Sequence, residues 1–137
     1  MGNKDEKIWV SQKAIIFREG GKALAIRRSK TAPSRPLKWD LPGGTFGSGE
    51  EAKESIIREI KEETGLAVKN LKVADVVSGF NDMNEFWVSI FYTAKAIDDK
   101  VALSYEHDDF KWMTLDEFLQ LETSSRIKKF VENLLKQ

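Results

Sequence analysis

All three prolines of the chain, Pro33, Pro36 and Pro42, and four of its nine glycines fall between Ser29 and Gly49. Proline fixes φ and lacks an N–H, and glycine favours turns, so neither a helix nor a central strand can run through that stretch. The regular elements must therefore be built on either side of it. Before it, Ile8 to Phe17 is rich in β-branched and aromatic residues, Arg18 to Lys22 is a turn cluster, and Ala23 to Arg27 alternates, which reads as a hairpin. The punctuated stretch reads as a long loop interrupted by a short extended Trp39-Asp40-Leu41, and loops of that length inside compact domains tend to carry function. After it, Glu50 to Glu63 contains no Pro or Gly and is followed by Gly65, where a left-handed cap would end a helix.

Beyond the helix, Leu71 to Val77 and Phe86 to Ile97 read as strands around an Asn81 to Asn84 turn. A short strand near Phe110 to Met113 follows, and Thr114 caps a turn of helix reaching Leu121. Ser124 or Ser125 opens a terminal helix with Ile127, Phe130, Val131, Leu134 and Leu135 on one face. Strands interleaved with helices predict an α/β protein whose mixed sheet lies between helical layers. The 137 residues suit one domain, 1–137.

Composition narrows the chemistry. Lys plus Arg and Asp plus Glu balance at 22 each, so no global field favours a nucleic acid polymer or an anionic membrane. The absence of Cys removes thiolate nucleophiles and Cys-ligated zinc, and a single His, His107, rules out a His-rich metal site. Hard oxygen ligands remain, which suit magnesium, manganese or calcium. The polar start, Met1 to Glu6, and the lack of any apolar stretch of signal-peptide or membrane-span length point to the cytoplasm and away from membranes.

Six glutamates, Glu50, Glu51, Glu54, Glu59, Glu62 and Glu63, crowd the helix and its entry. An acid-rich helix face is usually just solvated. At roughly 100° per residue, however, Ala52, Ile56 and Ile60 form one apolar stripe, and Glu59 and Glu63 share its core-facing half. Glu51, Glu54, Arg58 and Lys61 lie opposite as an ordinary mixed-charge surface, with Glu54 and Arg58 spaced for an i,i+4 pair. Carboxylates at the partly buried side, flanked by Glu62, would repel one another unless their pKa values rise or a divalent cation sits among them. Ahead of the helix, Leu41 to Gly49 supplies flexible backbone, with Gly44 central to it, near a helix amino terminus that favours phosphate. It lacks the Lys and Ser or Thr of a Walker loop.

Taken together, Gly44, Glu50, Arg58-Glu59-Ile60, Glu62-Glu63 and Gly65-Leu66 resemble the Nudix box at every defined position, and the Trp39-Asp40-Leu41-Pro42-Gly43 lead-in is similar to the same family. The resemblance implies a Nudix-type α/β/α sandwich and metal-dependent hydrolysis, with Mg2+ or Mn2+, of a nucleoside diphosphate linked to another group. It implies metal ligation by Glu59 and Glu63, assisted by Glu62 and Glu50, with the Gly43 carbonyl as a further ligand. It also implies that Arg58 orients the glutamates by charge-assisted hydrogen bonds, and that the general base is Glu62 or an acid of a later loop, here Glu106. His107 reads as a hydrogen-bonded loop residue rather than a catalyst.

Arg27, Arg28 and Lys38 flank the expected site and are candidates for substrate phosphates. Phe80, in the turn region, is the candidate for stacking on a base, whereas Trp39, Trp87 and Trp112 read as core. Family members acting on ADP-ribose or dinucleoside polyphosphates usually carry a Pro or Tyr some way after the box, and Asn81 to Asn84 contains neither. By elimination the expected substrate is a nucleoside triphosphate, intact or oxidised, cleaved to monophosphate and pyrophosphate. ADP-ribose or another nucleotide sugar is the alternative, and a non-catalytic sensor of the same fold is a third reading. The expected partner is a small nucleotide, and the chain is expected to be a monomer or a homodimer.

Overall fold

The computed structural model describes residues 6–137, so the polar start read above lies, apart from Glu6, outside the described residues. The elements in chain order are β1 (Ile8–Phe17), β2 (Ala23–Arg28), β3 (Trp39–Asp40), β4 (Gly43–Thr45), α1 (Ala52–Thr64), β5 (Val68–Phe80), β6 (Phe86–Ala96), β7 (His107–Met113), α2 (Leu115–Phe118) and α3 (Ser125–Leu135). Strands β1 and β6 run parallel from Ile8↔Phe86 to Phe17↔Lys95, whereas β5 on β6 and β7 on β2 are antiparallel. The seven-stranded sheet is thus mixed, in the order β3-β2-β1-β6-β5, with β4 added to β1 and β7 to β2.

Alternation along the strands sends side chains to two cores. On one face Ile15, Ala25, Val77 and Phe91 pack against Ile127, Phe130 and Val131 of α3, with the Phe91 and Phe130 rings stacked 4.3 Å apart. On the other, Ala14, Ile16, Ile26 and Tyr92 meet Ile56 and Ile60 of α1. This is the expected α/β/α arrangement. Among the described residues no helix is long and apolar enough to cross a membrane.

Three boundaries differ from the sequence reading. Residues Gly43–Thr45, read as loop, form a strand paired with Ser11, Gln12 and Lys13 of β1. Glycine is a poor strand former alone, but only glycine permits this approach: a Cβ at Gly43 would stand 1.9 Å from the Gln12 carbonyl oxygen, at a φ of +145°. Strand β5 runs Val68–Phe80, well beyond Leu71 to Val77, because antiparallel pairing with β6 extends it past its apolar centre. Helix α1 starts at Ala52, and Glu51 is its N-cap, its carboxylate accepting from the Lys53 N–H. The helix amino terminus is therefore met by a negative charge of the chain's own.

The sheet forks beside this strand. Strand β1 leaves β2 after Phe17↔Ala23 and takes β4 as its neighbour, while β2 takes β3 through Ile26↔Asp40 and Arg27↔Trp39. The segment joining β3 to β4 lies in the fork, tied to β1 by the Ala14 N–H donating to the Pro42 carbonyl at 2.9 Å. Asp40 and Gly43 consequently stand on either side of a gap onto which α1 can lay its carboxylates.

Candidate active site

Helix α1 carries the sequence geometry through into space. Ser55, Ile56, Ile60, Glu63 and Thr64 are its buried residues, so the apolar stripe and Glu63 face the sheet. Gly65 ends the helix in the left-handed conformation at φ +75°, its N–H returning to the Lys61 carbonyl.

Glu63 is 7% exposed, and its Oε1 accepts the Gly43 N–H at 3.1 Å. Burial pushes its pKa from 4.5 up to about 7, with Asp40 and Glu59 adding to the rise, while Lys13 and the Gly43 N–H oppose it. Glu59, one turn earlier and half-buried, is also raised, first by burial and then by Glu62, Glu50 and Glu106, against Arg58. It lies against Gly44, where a Cβ would come within 3.1 Å of the Glu59 carboxyl carbon. The glycine strand and the buried side of α1 are thus fitted to each other, backbone against carboxylate.

Arg58 gathers the other acids. Its Nη1 donates to both Glu62 oxygens at 3.1 and 3.2 Å, and its Nη2 lies 3.4 Å from Glu50 and 3.5 Å from Glu59. The expected Glu54 pair is replaced, because three carboxylates on the other side compete for the same fork. Arg58 is accordingly an organiser of the cluster and not merely a solvated surface residue. Glu50 also accepts from the Ser55 hydroxyl, and that hydrogen bond, ahead of Arg58, holds its pKa below the usual carboxylate range.

Among the described residues no three Asp, Glu or His side chains are gathered tightly enough to enclose an ion unaided. Two carboxylates raised by burial and mutual repulsion, an adjacent glycine backbone and a wholly oxygen donor set fit a hard divalent cation.

The flanking cations already have partners. Arg27 donates to Asp108 at 2.9 Å, which raises its pKa, and Lys38 donates to Glu122. Arg28 donates to the Ser34 carbonyl at 2.8 Å and lies 3.6 Å from Asp40. One residue the sequence reading did not single out stands closer in: Lys13 donates to Asp40 at 3.1 Å and to the Leu41 carbonyl at 3.2 Å, and its charge is felt at Glu63. A lone charged residue inside β1 was the available signal.

Glu106 is exposed on the turn before β7, its carbonyl accepting from the Ser29 N–H at 2.9 Å and its charge reaching Glu59. His107 departs from the hydrogen-bonded loop residue expected: it begins β7, is 6% exposed, and neither ring nitrogen has a hydrogen-bond partner among the described residues. Burial lowers its pKa, helped by Lys13 and Arg28 and opposed by Asp40 and Glu106. Phe80 ends β5, 66% exposed and edge-on to Phe86 at 5.1 Å. Its register through Phe86 to Ile8 is four residues along β1 from Gln12, the partner of Gly44. It is brought to the same end of the sheet as the glycine strand but not into the carboxylate cluster.

Residues 8–134 match the model of the NUDIX domain. A MutT-like protein of Streptomyces ambofaciens is 30% identical over 108 residues, 79% of this chain and 65% of that protein, so the chain spans just under two thirds of that relative's length. An asymmetrical bis(5'-nucleosyl)-tetraphosphatase of Caenorhabditis elegans is 29% identical over 134 residues, 85% of this chain and 89% of that protein. The crystal structure of a MutT protein from Methanosarcina mazei Go1 superposes with a TM-score of 0.83 at 31% identity, covering 98% of this chain and 97% of that one.

Proposed function

The chain belongs to the Nudix family, and on that footing we propose that it is a divalent-metal-dependent pyrophosphohydrolase that cleaves a nucleoside triphosphate to the monophosphate and pyrophosphate. The observation that carries this reading is Glu63, buried against the Gly43 N–H with its pKa at about 7 and Glu59 one turn away. Two acids held together at the sheet fork make sense as ligands and poorly as packing.

Glu59 and Glu63 would hold the cation, Mg2+ or Mn2+, with the Gly43 carbonyl and, on rotation away from Arg58, Glu62 or Glu50. The cation, when bound, supplies charge neutralisation for phosphoryl oxygens and acidifies a coordinated water. Arg58 keeps the acids from fanning into solvent. Glu106 is the better candidate for general base, because both oxygens of Glu62 are engaged by Arg58 whereas Glu106 is exposed opposite Glu59. Lys13 and Arg28, sharing Asp40, hold positive charge at the fork where phosphates would arrive.

The likeness to the Caenorhabditis elegans tetraphosphatase favours a dinucleoside polyphosphate as the second reading. A panel of nucleoside triphosphates, dinucleoside polyphosphates and ADP-ribose, assayed in magnesium and in manganese with product identification, separates them. Release of pyrophosphate and monophosphate, abolished by chelator and reduced by orders of magnitude in Glu63→Gln, is expected. Full turnover in that variant would reject the ligand assignment, and nucleotide binding without any product would make the chain a sensor.

A further inference from the structure

Regular alternation would send Lys69 and Lys72 of β5 to opposite faces of the sheet. The structure puts them on one. Lys69 stands opposite Lys95 of β6 and Lys72 opposite Thr93, so a β-bulge at Asn70 and Leu71 absorbs one extra residue. Asn70 turns the bulge at a φ of +57°, a conformation that asparagine tolerates better than most side chains. Lys95 is in register with Phe17 of β1, which packs on the α3-side core, so all three lysines stand on that side. Like charges directly opposite one another destabilise a sheet, and Lys69 against Lys95 is such a pair. Among the described residues none of the three lysines has an ion pair. A bulge that collects repelling charges on one face makes sense if an anion joins them.

A place for that anion is present. Lys72 and Lys95 line a cavity of about 430 Å³ with Phe17, Arg18 and Asn70, a volume in the range of small-molecule sites. Gly20 and Gly21, from the β1–β2 turn, complete the wall with bare backbone at φ +92° and +83°. Arg18 lies across the Trp112 ring at 5.2 Å and is 3.9 Å from Asp99. Glu19, exposed, is the one acid of the lining. The cavity is remote from the carboxylate cluster, because Phe17 is four residues along β1 from Lys13, roughly 13 Å at strand rise, and faces away from α1.

An ammonium group is a compact point charge suited to phosphate oxygens, and several such groups together call for a ligand with several negative charges. A monocarboxylate would leave most of this charge uncompensated. We propose that the cavity is a binding site, separate from the carboxylate cluster, for a small soluble polyphosphate. It stands independently of the hydrolase reading, since it uses none of the same residues.

The test titrates inorganic tripolyphosphate into the full chain by calorimetry, in chelator so that no cation recruits phosphate to Glu59 and Glu63. Wild type is compared with the double variant Lys72→Gln, Lys95→Gln. Wild type is expected to bind, and the variant to bind about tenfold or more weakly, two charge-assisted hydrogen bonds being lost. Tripolyphosphate should raise the melting temperature of the wild type and leave that of the variant unmoved. Without the anion the variant should melt no lower than the wild type, because the substitutions relieve repulsion. Amide shifts on titration are expected at Gly20, Gly21, Asn70 and Thr93. No binding by the wild type, equal affinity in the variant, or shifts confined to α1 and Gly43–Thr45 would each overturn the proposal. Citrate binding as tightly as tripolyphosphate would overturn the phosphate assignment. Retention on phosphatidylserine vesicles without tripolyphosphate binding would mark a membrane-facing patch and overturn it too.

Discussion

Replacing Glu63 by Gln should stabilise the metal-free protein at alkaline pH while removing its activity. Burial raises the Glu63 pKa from 4.5 to about 7, so the fold favours the protonated side chain. For an acid shifted upward, the stabilisation is complete below the unfolded-state value of 4.5 and is lost as pH rises through about 7. At about 1.4 kcal/mol per pKa unit, the wild type forfeits about 3 kcal/mol across that window. A glutamine keeps the shape and can still accept the Gly43 N–H, but carries no charge at any pH. Thermal melts of both proteins in chelator, at about pH 4 and about pH 8, isolate the effect as a double difference that cancels every titrating group not coupled to Glu63. The variant should gain about 10 °C on the wild type between the two conditions, on the size scaling for a chain of this length. Adding magnesium or manganese at the higher pH should raise the wild-type midpoint and leave the variant unmoved. A double difference near zero would refute burial as the origin of the shift, and with it the idea that a cation resolves the crowding.

Gly43→Ala places a Cβ 1.9 Å from a backbone oxygen at a φ of +145°. It should therefore cost about 3 kcal/mol or more of stability, visible as an early denaturant midpoint. Arg58→Lys retains the charge but cannot span Glu50, Glu59 and Glu62, so kcat should fall about tenfold to a hundredfold with the melting temperature nearly unchanged. An unaltered kcat would make Arg58 an ordinary surface ion-pair partner.

Much of the site was legible from spacing alone. Helical periodicity put Glu59 and Glu63 on the side of Ile56 and Ile60, and the structure buries Glu63 with them. The Gly65 cap, the Thr114 and Ser124 caps and the α/β layering follow equally from local chemistry. Substrate contacts were less legible, because a cation's availability depends on what the fold brings beside it. Arg27 and Lys38 meet Asp108 and Glu122, which are 81 and 84 residues away in sequence.

The chain by itself determined which residues could share a helix face, where backbone needed glycine, and that any metal would meet oxygen. Those are short-range properties, fixed by dihedral preference and a repeat of 3.6 or 2 residues. Only the tertiary structure decided that Gly43–Thr45 is a strand, that the sheet forks at Asp40, and which charges stand paired. Those outcomes depend on contacts between distant segments, where pairing and burial set the energy of a group more strongly than its own identity does.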